Sequence, residues 1–188
     1  MSAIEYNNLL FKVSQRLNEL NVGKQLLIMC RGQVAPRGEE NLQDVFSLFV
    51  ELEEKEFLGP DRLDVLKDVL EGLEEWSLLE NVEKFEAKRR EYDGLLEQII
   101  QALDELNDLE RLVSICKGKI PQDRHSSIHD VRALFKELKN NNCLRVNHLG
   151  ILKTILTHTE KRDLLEKVKE FEERRTLENK FERRKGVY

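Results

Sequence analysis

The chain has 188 residues, 36% of them charged, with a formal net charge of −5, 3 prolines and 9 glycines. No apolar run approaches the roughly 18 residues that a membrane-spanning helix needs, and the N-terminus Met1-Ser-Ala-Ile-Glu5 lacks the basic and apolar segments of a signal peptide. These features exclude a membrane partner and point to the cytoplasm, with the nucleus as a further destination; the odd count of three cysteines argues against a disulfide framework.

Apolar residues at Leu9, Leu10, Val13, Leu17 and Leu20 recur at spacings of three and four, which predicts a helix over 4–20. Further helices are expected at 24–31, 42–53, 61–73 and 75–90. Gly32, Pro36 and Gly38 break the chain after the second, and Gly59-Pro60 breaks it before the fourth. The stretch 34–41 reads as a loop or a short helical turn. Then come helices at 92–106, 108–117, 128–139, 147–156 and 160–173, with loops at 121–127 and 140–142. The stretch 76–106 can be almost continuously helical, with Asp93-Gly94 its weak point. Residues 173–185 either extend the last helix or fray. Nothing argues for a sheet.

The second set of helices repeats the first at an offset of 86 residues. Leu9-Leu10 returns as Leu95-Leu96, Asp44-Val45 as Asp130-Val131, Leu48-Phe49 as Leu134-Phe135 and Leu78-Leu79-Glu80 as Leu164-Leu165-Glu166. Cys30 and Gly32 return as Cys116 and Gly118. A period this long is a small domain rather than a solenoid unit. Three segments follow: 1–88, 89–175 and a charged tail at 176–188. No Gly/Ser/Pro-rich linker separates the first two, so a rigid pair is expected rather than beads on a string. Residues 1–90 carry 12 Lys/Arg against 18 Asp/Glu, and residues 91–188 carry 19 against 18, a polarity suited to head-to-tail contact between copies.

The helix-two segment Leu26-Leu-Ile-Met-Cys30-Arg-Gly32 and the run Asp44-Val-Phe-Ser-Leu-Phe-Val-Glu-Leu52 through Leu58, Leu63, Leu66 and Leu70 resemble a death effector domain. So do their counterparts Asp130–Leu138, Leu144, Leu149, Leu152 and Leu156, and the closing Asp163-Leu-Leu165 with Val168 and Phe171. The resemblance covers both copies. It implies an all-α fold of two tandem six-helix death-fold bundles, no enzymatic activity and no cofactor. It further implies homotypic binding to the Fas-associated adaptor, to initiator caspase prodomains and to FLIP-like proteins, with self-association into filaments as a further outcome. The chain is thus similar to a regulator that promotes or blocks caspase assembly, or alternatively to an isolated tandem prodomain or splice product of an initiator caspase.

Members of this family commonly carry a charge triad formed by an acidic residue on helix two and Arg-x-Asp-Leu at the start of helix six. Copy two matches it in part with Asp108 and Lys161-Arg162-Asp163-Leu164, a Lys standing where the family prefers Arg. Carboxylates flanking a cation are expected to hold one another on the surface. Copy one has Val22 and Glu75-Trp76-Ser77-Leu78 there instead. Conversely, Ile28 of copy one corresponds to Ser114 of copy two. In the family's usual contact, helices one and four of one domain meet helices two and five of the next. The protein-binding residues this implies are Gln25, Leu27 and Ile28 in copy one and Asp108, Lys161, Arg162 and Asp163 in copy two.

Three motifs look chemical. Met29-Cys-Arg-Gly32 resembles a caspase nucleophile motif, but no His precedes residue 125 and the pattern recurs as Cys116-Lys-Gly118, which marks packing. His125 and His129 are spaced by four without third and fourth ligands, so no metal is expected. The basic clusters Lys88-Arg-Arg90 and Arg174-Arg175 lack aromatic partners and a continuous basic face, which argues against nucleic acid.

Overall fold

The computed structural model describes residues 3–33 and 44–185, with side chains over 4–33 and 44–178. Among these residues there are nine α-helices, one 3-10 helix and no strand. The chain forms two compact units, Met1–Arg89 and Arg90–Tyr188. In the first lie α1 (Ala3–Glu19), α2 (Gly23–Met29), α3 (Val45–Glu54), α4 (Asp64–Gly72) and the start of α5 (Trp76–Asp104). The rest of α5 begins the second unit, followed by α6 (Leu109–Ile115), a 3-10 helix (Gln122–Ser127), α7 (Val131–Asn140), α8 (Gly150–His158) and α9 (Arg162–Lys185). The expected loop at 34–41 and the first two residues of the helix expected at 42–53 lie outside the described residues.

Each unit closes on a leucine-rich core whose members return 86 residues later. Leu10, Leu17, Leu26, Leu48, Phe49, Leu52, Leu66 and Leu70 are buried in unit 1, as are Leu96, Leu103, Leu112, Leu134, Phe135, Leu138, Leu152 and Leu156 in unit 2. Both cores are finished by an aromatic pair, Tyr6 with Phe85 and Tyr92 with Phe171. Each also has one partly buried ion pair between its last two helical segments: Lys67 with Glu86 (3.1 Å) and Lys153 with Glu172 (2.7 Å).

Helix boundaries follow local chemistry. Asp44 caps α3 by accepting from the backbone N–H of Ser47 (2.8 Å), and Asp130 caps α7 by accepting from Ala133, each satisfying a donor the helix cannot. Left-handed residues end several helices in register: Asn21 and Asn107, Glu56 and Asn142, Glu74 and Glu160, and Gly32 and Gly118. The last pair has φ of +105° and +82°, where a side chain is strained.

Several boundaries differ from the sequence pattern: α7, for one, starts at Val131 rather than 128 because Asp130 is its N-cap. α4 starts at Asp64 rather than 61 because Gly59 and Arg62 exchange two backbone hydrogen bonds. The same exchange, between Arg145 and His148, delays α8 to Gly150. The loop expected at 121–127 is a 3-10 helix, begun by Pro121 and closed by the Ile128 N–H on the His125 carbonyl. At the other end, α9 continues to Lys185, so the charged stretch after 173 extends the last helix.

α1 and α3 pack side by side and run antiparallel. Asn18 near the end of α1 accepts from the N–H of Val45 at the start of α3 (3.1 Å). At the opposite end the Tyr6 phenol lies beside the Glu53 carboxylate, and burial together with that charge raises its pKa far above the ordinary range.

In urea unfolding, Phe135→Ala should lower stability by about 3–5 kcal/mol, while Asp130→Ala should lower it by about 1 kcal/mol. Equal effects would mean that the cap, rather than the core, holds α7.

Candidate protein-interaction faces

The short helix α2 has only seven residues in which to serve both core and surface. Leu26 is fully buried and Leu27 packs partly against the same core, whereas Ile28 is 69% exposed and Gln25 is open to solvent. Of the residues expected to dock on this helix, Ile28 and Gln25 therefore face outward, and Leu27 is divided between core and surface. Met29 extends the apolar area. Its terminal methyl lies 2.5 Å from where a Cβ on Gly72 would stand, so the flexible end of Met29 occupies the space that the glycine leaves open. Trp76, at the start of α5, is 58% exposed.

Unit 2 treats the same seam with polar chemistry. Arg111, the counterpart of Gln25, donates from Nη2 to the carbonyl of His158 (2.6 Å), the counterpart of Gly72. A guanidinium thus satisfies an orphan carbonyl at the end of α8. Ser114 stands in place of Ile28 and Arg162 in place of Trp76. Beside Ser114 an open groove of 950 Å³ is lined by Val113, Lys117, Lys119, Ile120 and His125.

The expected charge cluster is assembled differently from the sequence picture. Asp108 accepts from the backbone N–H of Arg111 (3.2 Å) and so caps its own helix, α6. Lys161 precedes α9, and Arg162 and Asp163 sit exposed in its first turn. Among the described residues no ion pair joins Asp108, Lys161, Arg162 and Asp163. A carboxylate at an N-cap already has a donor at hydrogen-bond distance, which is why it does not need the cation. All four remain at the solvent-facing edge of unit 2.

A second apolar face was not legible from helical periodicity alone. On α1, Phe11 is 61% exposed and Ile4 is exposed seven residues before it; on α3, Phe46 is 42% exposed and Val50 follows one turn later. Their 86-residue counterparts are Glu97, Arg90, Arg132 and Lys136. An apolar residue whose counterpart is charged cannot be a core position of the shared fold, and that comparison is the signal that finds this face.

The motifs that resemble chemistry are structural or solvent-facing. Burial raises the pKa of the Cys30 thiol, and burial with nearby Cys143 raises that of Cys116 to about 11. His125 contacts the Ile120 carbonyl through Nε2 (3.3 Å), and His129 contacts the Ser127 carbonyl through Nδ1 (3.0 Å). Among the described residues no three His, Cys, Asp or Glu gather as a metal site, and no helix is long and apolar enough to cross a membrane. Arg89 bonds the Asp61 carboxylate and the Pro60 carbonyl, and Arg174 bonds Glu91, so both basic clusters are partly engaged within their own units.

Comparison with known proteins places these faces in a family context. The family model for the death effector domain matches residues 6–88 and again 92–174. Mouse caspase-8 is 23% identical over 182 residues, covering 90% of this chain and 37% of that protein. Rat caspase-8 is 39% identical over 61 residues, covering 32% of this chain and 13% of that protein. The matches therefore span well under half of either relative. No solved structure matches.

The raised thiol pKa gives a direct check on the cysteine assignment. A thiol moved from 9.0 to about 11 has a thiolate fraction at pH 8 about 100-fold smaller. Cys116 should accordingly react with iodoacetamide about 100-fold more slowly in the folded protein than in urea, as read by mass spectrometry; equal rates would mark an accessible, unperturbed thiol.

Proposed function

Because the chain belongs to the death effector domain family, with one domain in each half, we propose that it is a non-enzymatic regulator of apoptotic assemblies. It acts by docking its helix faces onto death effector domains of an adaptor and of initiator caspase prodomains. The observation that carries this reading is the open apolar face of α2 in unit 1, with Ile28 as its most exposed member. Apolar side chains held on a rigid helix form anchors of the kind that dominate interface energetics. The exposed Asp108, Arg162 and Asp163 of unit 2, with the half-buried Lys161, supply a polar counterpart that steers orientation and partner choice more than it adds affinity.

Partner selection follows from the difference between the units. An apolar face desolvates cheaply and accepts apolar anchors. A face built on Arg111, Ser114 and Arg162 accepts a partner that supplies hydrogen-bond acceptors and rejects one that cannot. We assign the two halves to different partners on this basis. The reading places the protein in the cytoplasm, where such assemblies form.

The alignment to mouse caspase-8 across 90% of this chain favours a second reading, in which the tandem unit is the prodomain of a longer caspase. The genomic sequence downstream of the Tyr188 codon separates the two: a caspase domain supports the prodomain, and a stop codon supports the free regulator.

Mixing experiments test the docking itself. The protein should change the filament nucleation rate of the aligned caspase-8 segment. Ile28→Asp should weaken that effect tenfold or more, and Asp108→Ala should weaken it less while also costing about 1 kcal/mol of stability through the lost cap. Unchanged nucleation at saturating protein would overturn the regulatory reading.

A further inference from the structure

Unit 2 holds two thiols where unit 1 holds one. Cys116 stands at the C-cap of α6 as Cys30 does at that of α2, and both are buried. Cys143 has no such twin, since its counterpart in unit 1 is Phe57. It lies in the turn between α7 and α8 and is half-buried, within reach of small solutes. Its Sγ donates to the carbonyl of Lys119 (3.3 Å), and the N–H of the same Lys119 donates to the carbonyl of Cys116 (2.9 Å). One residue thus ties the two cysteines together. They are close enough that a charge on Cys143 raises the pKa of the Cys116 thiol.

The same two segments line the groove beside Ser114. Lys117, Gly118 and Lys119 follow Cys116 directly, and Asn141 stands two residues before Cys143. Gly118 has φ of +82°, and open space lies where its Cβ would stand. The short loop after Cys116 therefore has room to shift.

We propose that Cys116 and Cys143 form a reversible disulfide, a modification site confined to unit 2, which pins the loop 117–120 to the α7–α8 turn and fixes the shape of the groove they line. In a reducing compartment such a bond is transient and regulatory rather than structural. The oxidant is a small-molecule disulfide such as glutathione disulfide. The Cys143 thiolate attacks one of its sulfurs; a bond forms between them, the oxidant's S–S bond breaks and one thiolate leaves. The Cys116 thiolate then attacks the Cys143 sulfur and expels the second thiolate. Two protein thiols give up two electrons and two protons, and the oxidant becomes two thiols. For this the Cys143 Sγ leaves the Lys119 carbonyl by rotation about χ1. Burial slows attack on Cys116 from solvent, but it does not oppose attack by Cys116 on a sulfur already held beside it, where proximity replaces diffusion. Cys30 has no second thiol in its unit and is left as the odd cysteine.

Peptide mapping of the full chain tests the pairing. After equilibration with reduced and oxidised glutathione at neutral pH, the wild type should yield a Cys116–Cys143 disulfide and a free Cys30. Glutathione bound to Cys143 should be about tenfold less abundant than in Cys116→Ala, where the second step is blocked and the mixed disulfide accumulates. Cys143→Phe, which imports the unit 1 residue, should leave Cys116 a thiol like Cys30. Oxidation of the wild type should slow hydrogen exchange of the 117–120 amides severalfold. In urea the preference for this pair should vanish. Equal glutathione on Cys143 in wild type and Cys116→Ala overturns the proposal, as does a bridge from either cysteine to Cys30 or to a second chain. Unchanged exchange at 117–120, or a preference that persists in urea, overturns it as well. If circular dichroism shows that Cys116→Ala does not fold, Cys116→Ser takes its place under the same criteria.

Discussion

A domain of about 85 residues buries little more apolar surface than it needs to fold. The paired cores answer that constraint in the same way twice. Leu10, Leu17, Leu26, Phe49 and Leu66 are buried in one unit, and Leu96, Leu103, Leu112, Phe135 and Leu152 in the other. Positions inside the core cannot drift, because removing even a few methylene groups costs a sizeable fraction of total stability. Surface positions have no such restraint. The same arithmetic that freezes the interior leaves the exterior free to specialise, and the exposed large apolar side chains are concentrated in unit 1: Ile4, Phe11, Ile28, Met29, Phe46, Val50, Phe57 and Trp76 against Leu106 and Leu177 in unit 2.

The all-α architecture, the tandem organisation and most helix positions were legible because the apolar spacing and the repeat carry them directly. Helix starts after Gly59 and Arg145 were not, since a backbone hydrogen-bond exchange between residues three apart leaves no mark in side-chain pattern. The site was legible only in part. Ile28 stood out because Ser114 replaces it, whereas the mixed orientation of Leu27 required the packing of α2. The expected triad gave way to a helix cap because a sequence lists charges without their hydrogen-bond partners, and Asp108 already has one in the Arg111 N–H.

Phe11 and Phe46 make the point from the other side. Taken singly, each is an apolar residue on an amphipathic helix and suggests core. Only the comparison with Glu97 and Arg132 marks them as surface positions, in agreement with their exposure. A repeat thus does more than reveal domain number: comparing its copies separates the positions that serve the core from those that serve the surface.

The left-handed residues at helix ends carry a different lesson. Glu56, Glu74 and Glu160 adopt φ of 60°, 57° and 57°, a conformation that costs an L-residue roughly 1–2 kcal/mol and a glycine almost nothing. Between the copies the backbone conformation is the same while the side chain changes, from Glu56 to Asn142. At that one turn the geometry has been kept while the residue changed; the other three pairs, Asn21 and Asn107, Glu74 and Glu160, and Gly32 and Gly118, keep both. Glycine at Glu56, Glu74 or Glu160 would relieve that conformational cost, a stabilising route that the chain leaves unused at each.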